Sequence, residues 1–342
     1  MDFLYGEWEV SGDDDPNLLP LCFVVTKESQ AADETLARIS EDLIGRIKSL
    51  DTDNAEELQR LIERVKNTQR NEFVLIVGTK GAGKSTFIDR FFLHVLPKEL
   101  RDDCIVAKIN LADSEGNEKD VPNWLNQHLL KTLEDLIFEN GAPTYEQLQG
   151  IFYDEYNRWR RGSYHYLYDR DREQFKIEFG KHIEQRREER QHEYIERLLS
   201  HIVRVRRKLP CIVFDNADHF TIEFQERVFQ YARSIYEKQL CLIIMPITDK
   251  TSWHLSREGA LRSFESASLF LPIPSPRKIL ERRIEFLGLK LADERRESGR
   301  GYFVGRGIHL SLEDLTAFTA ALQSVFLRTG SVARWIGHLA NR

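Results

Sequence analysis

The sequence predicts an α/β protein: a doubly wound, parallel, five-stranded sheet with a helical insertion and a C-terminal helical lid. Three observations lead there. Five short runs, at 73–77, 104–109, 210–214, 240–245 and 268–273, are almost continuously apolar and rich in β-branched or aromatic residues. Strands of a parallel sheet read this way because helices cover both of its faces. Helical patterns at 84–94, 125–138, 190–205 and 221–238 fall between those runs, and such alternation is the mark of a parallel α/β sheet. The third observation is a glycine-rich string at 78–86, placed where the first run gives way to its helix.

Bulk composition narrows the classes. With 342 residues, 41% hydrophobic and 30% charged, the chain suffices for one large or two modest domains with a sizeable core. A net charge of −6 does not indicate a global attraction to nucleic acid, and it leaves a local basic patch open. No stretch approaches the roughly 18 apolar residues of a membrane span, so no membrane partner is expected. The acidic start, Met1 to Asp15, is unlike a signal peptide. Cys22, Cys104, Cys211 and Cys241 form no C-x-x-C pair, and the last three lie in apolar runs. They read as small buried hydrophobes in a reducing cytoplasm, the expected location.

Taken in order, residues 1–54 read as an N-terminal extension. Its helical pattern near 31–49 places Leu36, Ile39, Leu43, Ile44 and Ile47 at spacings of three and four, and a second pattern near 54–68 does so with Leu58, Leu61, Ile62 and Val65. Residues 55–273 form the core. Within it the stretch from about 112 to 200 is too long for one crossover and, dense in Arg, Glu and Tyr, reads as a helical insertion. From Pro274 onward no strong strand signal is seen. Helices near 276–290, 311–327 and 331–340, around a polar Gly/Arg segment at 296–307, read as a lid subdomain over 274–342.

Residues 78–86, Gly78-Thr79-Lys80-Gly81-Ala82-Gly83-Lys84-Ser85-Thr86, match G-x-x-x-x-G-K-[ST] between a strand run and a helix. The glycines let the backbone curl so that its N–H groups form an anion nest at a helix N-terminus. Lys84 then supplies a point charge to the β- and γ-phosphates of ATP, and Ser85 a hydroxyl ligand to Mg²⁺, with Thr86 beside it. The run ending at Asp215 has the Walker B form, apolar residues leading into an acid at a strand end, so Asp215 is expected to hold the magnesium beside Ser85. The next residue is Asn216, whose amide can orient water without accepting its proton. Asp218 is the alternative base, or a cap for the helix beginning near Thr221. Hydrolysis is therefore expected to be slow, assisted by a partner, or absent.

With both motifs in hand, the chain resembles the AAA+ and STAND ATPases over residues 55–342, and within them the origin-recognition-type initiators and the STAND-like ATPases of bacterial defence. The resemblance implies a P-loop NTPase fold and a homo-oligomer. It implies a sensor 1 role for Thr248, with Asp249 as a second choice, and an arginine finger at Arg262, with Arg257 as competitor. Sensor 2 would fall at Gly330–Arg334, one residue longer than the family pattern, or near Asn341-Arg342. The winged helix of initiators and the sensor repeats of STAND proteins are not visible, which reads as a longer protein cut short.

Residues 153–190 interleave Tyr, Trp and Arg with acids, and Arg204–Lys208 forms a second basic cluster. Nucleic-acid contact, a protein-partner or self-association surface and a plain solvated helix all remain open there. Three functions follow: an ATP-hydrolysing switch or motor, a nucleotide-gated module with little turnover, and a P-loop kinase, the last disfavoured because a further strand and a helical lid follow the acidic strand end.

Overall fold

The computed structural model describes residues 47–49, 55–248, 251, 266–272, 282, 302–305, 308–311, 317, 320 and 324. One sheet contains β1 (Ile47–Ser49), β2 (Glu72–Val77), β3 (Cys104–Asn110), β4 (Leu209–Asp215), β5 (Leu242–Ile247) and β6 (Ala267–Phe270), in the order β1-β6-β2-β5-β4-β3. Every pairing is parallel. All five expected strands are present, with ends moved by a few residues.

The sixth strand, β1, is a correction. Spacing alone carries a helix to residue 49, yet Ile47–Ser49 pair with Ser268–Phe270 at the sheet edge. Backbone groups along β6 require partners, and a ladder outweighs a weak helix preference. The remainder of that helix, 31–46, lies outside the described residues, as does Cys22.

Two-sided burial explains the strands. Phe73, Leu75 and Val77 of β2 point into one core with Ile212, Phe214, Ile243 and Met245. Val74 and Ile76 point into the other with Cys211, Val213, Leu242 and Ile244. This is the period-two alternation of a strand with both faces covered. β4 and β5 are buried at every position. The second core is roofed by α1 (Glu56–Thr68), through Leu58, Leu61, Ile62 and Val65, and by α2 (Lys84–Arg90), which continues as a π turn over Phe91–Val95. The short α3 (Lys98–Asp102) then leads into β3.

The excursion from β3 to β4 is helical: α4 (Val121–Ile137), α5 (Tyr145–Ile151), α6 (Tyr153–Arg161), α7 (His165–Arg170), α8 (Arg172–Glu189) and α9 (Gln191–Arg204). Local signals set several of its starts. Thr144 and Gln147 form a capping box on α5, and Asp171 accepts from Gln174 N–H at the start of α8. Two buried acids tie the helices together. Glu134 accepts from Arg187 at 2.6 Å and from the Tyr194 hydroxyl at 3.1 Å. Glu155 accepts from Arg197 at 2.7 Å and lies 3.1 Å from His182 Nε2 and 3.4 Å from Arg186. Most of the region's rings are packed: Tyr156 and Trp159 stand edge-on to Phe175 and Phe179.

After β4 comes α10 (Ile222–Tyr236), capped by Thr221, whose hydroxyl accepts from Phe224 N–H at 3.2 Å. The cap weighed for Asp218 thus belongs to Thr221. Beyond residue 274 the expectation of helices alone is corrected: β7 (Tyr302–Gly305) and β8 (Ile308–Ser311) pair antiparallel. Ser311 ends a strand, while Ala317, Ala320 and Ser324 are helical. The rest of 274–342, residue 282 apart, lies outside the described residues. Among the described residues no helix is long and apolar enough to cross a membrane.

Candidate nucleotide site

Three strand ends meet at the carboxyl edge of the sheet, where parallel α/β sheets bind ligands. β5 lies between β2 and β4, so the phosphate loop leaving Val77 and the acid ending β4 flank the residue that follows β5, Thr248. Gly78 N–H donates to Ile247 C=O at 3.2 Å, and a Cβ on Gly78 would sit 3.1 Å from the Leu271 carbonyl oxygen. Gly81 and Gly83 both have φ of 82°, a left-handed conformation that favours glycine. The loop closes through Ala82 N–H to Thr79 C=O at 3.1 Å, with Lys80 exposed at its tip and Thr86 half-buried behind it. The first-turn N–H groups of α2, from Lys84 onward, have no acceptor within the helix and lie at its positive end.

Lys84 is only 8% exposed. Its Nζ donates to the carbonyls of Gly78 and Thr79 at 3.2 and 3.3 Å and lies 3.4 Å from Asp218 Oδ2. A buried ammonium needs such partners, and these hold it over the loop. Ser85 Oγ donates to Asp215 Oδ1 at 2.9 Å, which joins the two motifs across 130 residues of sequence.

Asp215 is 2% exposed. Its Oδ1 also accepts from Asn216 N–H at 2.9 Å. Its Oδ2 is buried without a hydrogen bond of acceptable geometry, although Lys108 Nζ stands 3.2 Å away. Lys108, on β3, grips both oxygens of Asp89 at 2.8 Å. Burial alone would pull the Lys108 pKa down; the charges of Asp215 and Asp89 outweigh it and hold the ammonium above the ordinary lysine value. An underused carboxylate oxygen beside a serine hydroxyl is the hard oxygen donor set that Mg²⁺ takes, so the residues fit that ion.

Asn216 has φ 62° and ψ 25°, and its Nδ2 donates to Asn110 Oδ1 at 2.8 Å. Its amide is thereby turned toward β3. Thr248 Oγ1 accepts from Thr251 N–H at 3.2 Å and lies 2.9 Å from Thr251 Oγ1, the pattern of a residue capping the turn that follows. Asp249, Arg257, Arg262, Gly330–Arg334 and Asn341-Arg342 lie outside the described residues.

The structure therefore brings together Lys84, Ser85, Asp215 and Asp218. Sequence reasoning missed Lys108, Asp89 and Asn110. A signal for the first two existed: a lysine inside the apolar run 104–109 needs an acid, and Asp89 stands four residues after Ser85, on the same face of α2.

No curated protein matches the chain. The family model of the AAA domain matches residues 67–250. That span covers more than half of the 342 residues and includes the phosphate loop, the insertion and Asp215, so the chain belongs to the AAA family of P-loop, nucleotide-binding ATPases.

Proposed function

We propose that this protein is a molecular switch or motor domain that binds ATP with Mg²⁺ and hydrolyses it slowly, with assistance from a second copy or a protein partner. The observation that carries the reading is the 2.9 Å bond between Ser85 and Asp215, with Lys84 buried beside it. The loop from Gly78 to Thr86 would cradle the triphosphate, and Lys84 would exchange its loop carbonyls and Asp218 for phosphate oxygens. Ser85 and Asp215 would hold Mg²⁺, which supplies charge neutralisation between the phosphates when bound. Release of Lys84 would free Asp218 to accept a proton from water, and Thr248 is proposed to orient that water, joined by Asn216 once its amide leaves Asn110. Arg262 of a neighbouring copy is proposed to complete the site. Likeness to STAND-like and origin-recognition ATPases supports a core over 55–273 with its insertion at 112–200, a lid over 274–342, and a role in bacterial anti-phage defence ahead of replication initiation.

A second reading has its own support. Asn216 stands where related ATPases usually carry glutamate, and its amide is engaged by Asn110; this favours a nucleotide-gated module that binds ATP without turnover. Phosphate release by the purified chain beside Lys84→Ala separates the two. Turnover in the parent that disappears in Lys84→Ala is expected. ATP binding by the parent without turnover, at every protein concentration, would overturn the hydrolytic reading in favour of the module.

A further inference from the structure

We propose that the tip of the insertion, where α6, α7 and the start of α8 meet, binds single-stranded nucleic acid. This goes beyond the nucleotide reading and does not depend on it. Residues 153–173 carry Arg158, Arg160, Arg161, Arg170 and Arg172 among five acids, Asp154, Glu155, Asp169, Asp171 and Glu173. Among the described residues none of these five arginines pairs with a carboxylate. Further along the same insertion the opposite holds: Arg186, Arg187, Arg190 and Arg197 each pair with a glutamate. Of the tip's acids, Glu155 is buried against Arg186 and Arg197, Asp169 pairs with His165 and Asp171 caps α8, so the tip arginines keep their guanidinium groups out of ion pairs.

At the tip, guanidinium groups lie against rings instead. Arg160 and Arg172 stand 5.9 and 5.1 Å from the centre of the Tyr168 ring, and Arg170 stands 5.8 Å from that of Tyr166. Rings also face solvent: Tyr166 is 71% exposed, Tyr153 57% and Tyr164 39%. Tyr164 is stacked on Trp159 at 3.9 Å with 5° between planes, so a base laid on its outer face would extend an existing stack. Arg160, Arg161, His165, Tyr168 and Asp169 line an open depression of about 300 Å³ beside them.

Each half of this chemistry selects a partner. Guanidinium forks that are not engaged by carboxylates match phosphate oxygens. Exposed tyrosine faces accept unstacked bases of any sequence. A duplex hides its base faces, and an acidic peptide brings carboxylates with nothing to lie on the tyrosines. A single strand satisfies both halves. Neither half reads the sugar, so DNA and RNA of one sequence type should bind alike.

The test is fluorescence anisotropy of the full chain with oligo(dT) of about 20 nucleotides, repeated over a range of salt. Arg158, Arg161 and Arg170 are exposed, so the triple variant Arg158→Glu, Arg161→Glu, Arg170→Glu should fold, with an unchanged urea midpoint as the check. It is expected to weaken binding at least tenfold and to flatten a parent log–log salt slope of about −2, the value for three phosphate contacts on a single strand. Tyr166→Ala should weaken binding about tenfold at unchanged slope, and oligo(rU) should bind within a few-fold of oligo(dT). Absence of binding by the parent, unchanged binding by either variant, tighter binding of a duplex, or equal displacement of the oligonucleotide by poly-glutamate would each overturn the proposal.

Discussion

Asp215 is held on one side and exposed to charge on the other: its Oδ1 accepts from Ser85 at 2.9 Å while its Oδ2 lies 3.2 Å from the Lys108 ammonium. Lys108 in turn holds Asp89, on the helix that begins at the phosphate loop. One lysine thus supplies the countercharge for two acids at the site where a divalent cation is expected.

Lys108→Met should therefore destabilise the fold by about 2 kcal/mol, less than a fully buried broken pair because Lys108 is a third exposed. Mg²⁺ alone should restore part of that loss, since Asp215 would lose the cation beside its Oδ2. Urea denaturation of parent and variant, with and without Mg²⁺, measures both effects. A variant that loses stability yet ignores Mg²⁺ would show that Asp215 is not placed for the ion.

Asn216 occupies a left-handed conformation, φ 62°, which asparagine tolerates and most side chains do not. Restoring the glutamate usual in related ATPases should cost about 1–2 kcal/mol of backbone strain, besides the bond to Asn110. Asn216→Gly, which removes the strain and the side chain together, should be nearer to neutral. Thermal or urea unfolding of the two variants gives the ranking, and phosphate release by Asn216→Glu tells whether a carboxylate there raises turnover.

Glu155 is 7% exposed and is shared among His182, Arg186 and Arg197. Glu155→Gln removes the buried carboxylate that Arg186 and Arg197 share, though both keep Glu193 as a countercharge, at a cost of roughly 2 kcal/mol. ATP binding should persist at temperatures where the variant remains folded, because the network sits on the insertion. Loss of nucleotide binding in a folded variant would contradict that separation.

Acid should weaken the protein before its carboxylates titrate. Burial lowers the pKa of His192, His201 and His94 below the ordinary 6.5, assisted by Lys238, by Arg206, and by Arg90 and Arg101 respectively; Glu196 opposes the shift at His192. The unfolded chain then takes up these protons first, so the stabilisation is complete above about pH 6.5 and is lost as pH falls through the lower folded values. The urea midpoint should drop between about pH 7.5 and 5.5, and His201→Gln should shrink the drop.

Much of this architecture could be read from the chain because its signals are local. The loop at 78–86 lies within nine residues between a strand and a helix, and Asp215 closes an uninterrupted apolar run. What stayed hidden depends on partners distant in sequence. Lys108 looks like a tolerated polar residue in a strand until β3 is set against β4, with Asn110 beside Asp215. Ile47 fits a helical spacing as well as an edge strand, and only the presence of β6 decides between them. The hairpin at 302–311 did carry a signal, two short apolar-leaning runs separated by Arg306-Gly307, but the surrounding glycine and arginine content hid it. Arginines 186–197 and 158–172 look alike in sequence; they differ in whether a glutamate from another helix reaches them.

The place of β5 between β2 and β4 decides where this protein tolerates changes in length. Six residues of β2 and three of β4 are in register with β5, and that register sets the strand ends from which Ser85 and Asp215 meet. Deleting one residue within β5 would offset its neighbours by about 3.3 Å and turn its side chains to the opposite faces. The excursion from Leu111 to Lys208 is under no such constraint, because it leaves and re-enters neighbouring parallel strands. Its outer helices, α5 to α8, can be shortened or exchanged without disturbing the nucleotide site, whereas α4 and α9, which cover one face of the sheet, must stay, and a single-residue indel in β5 would abolish the site.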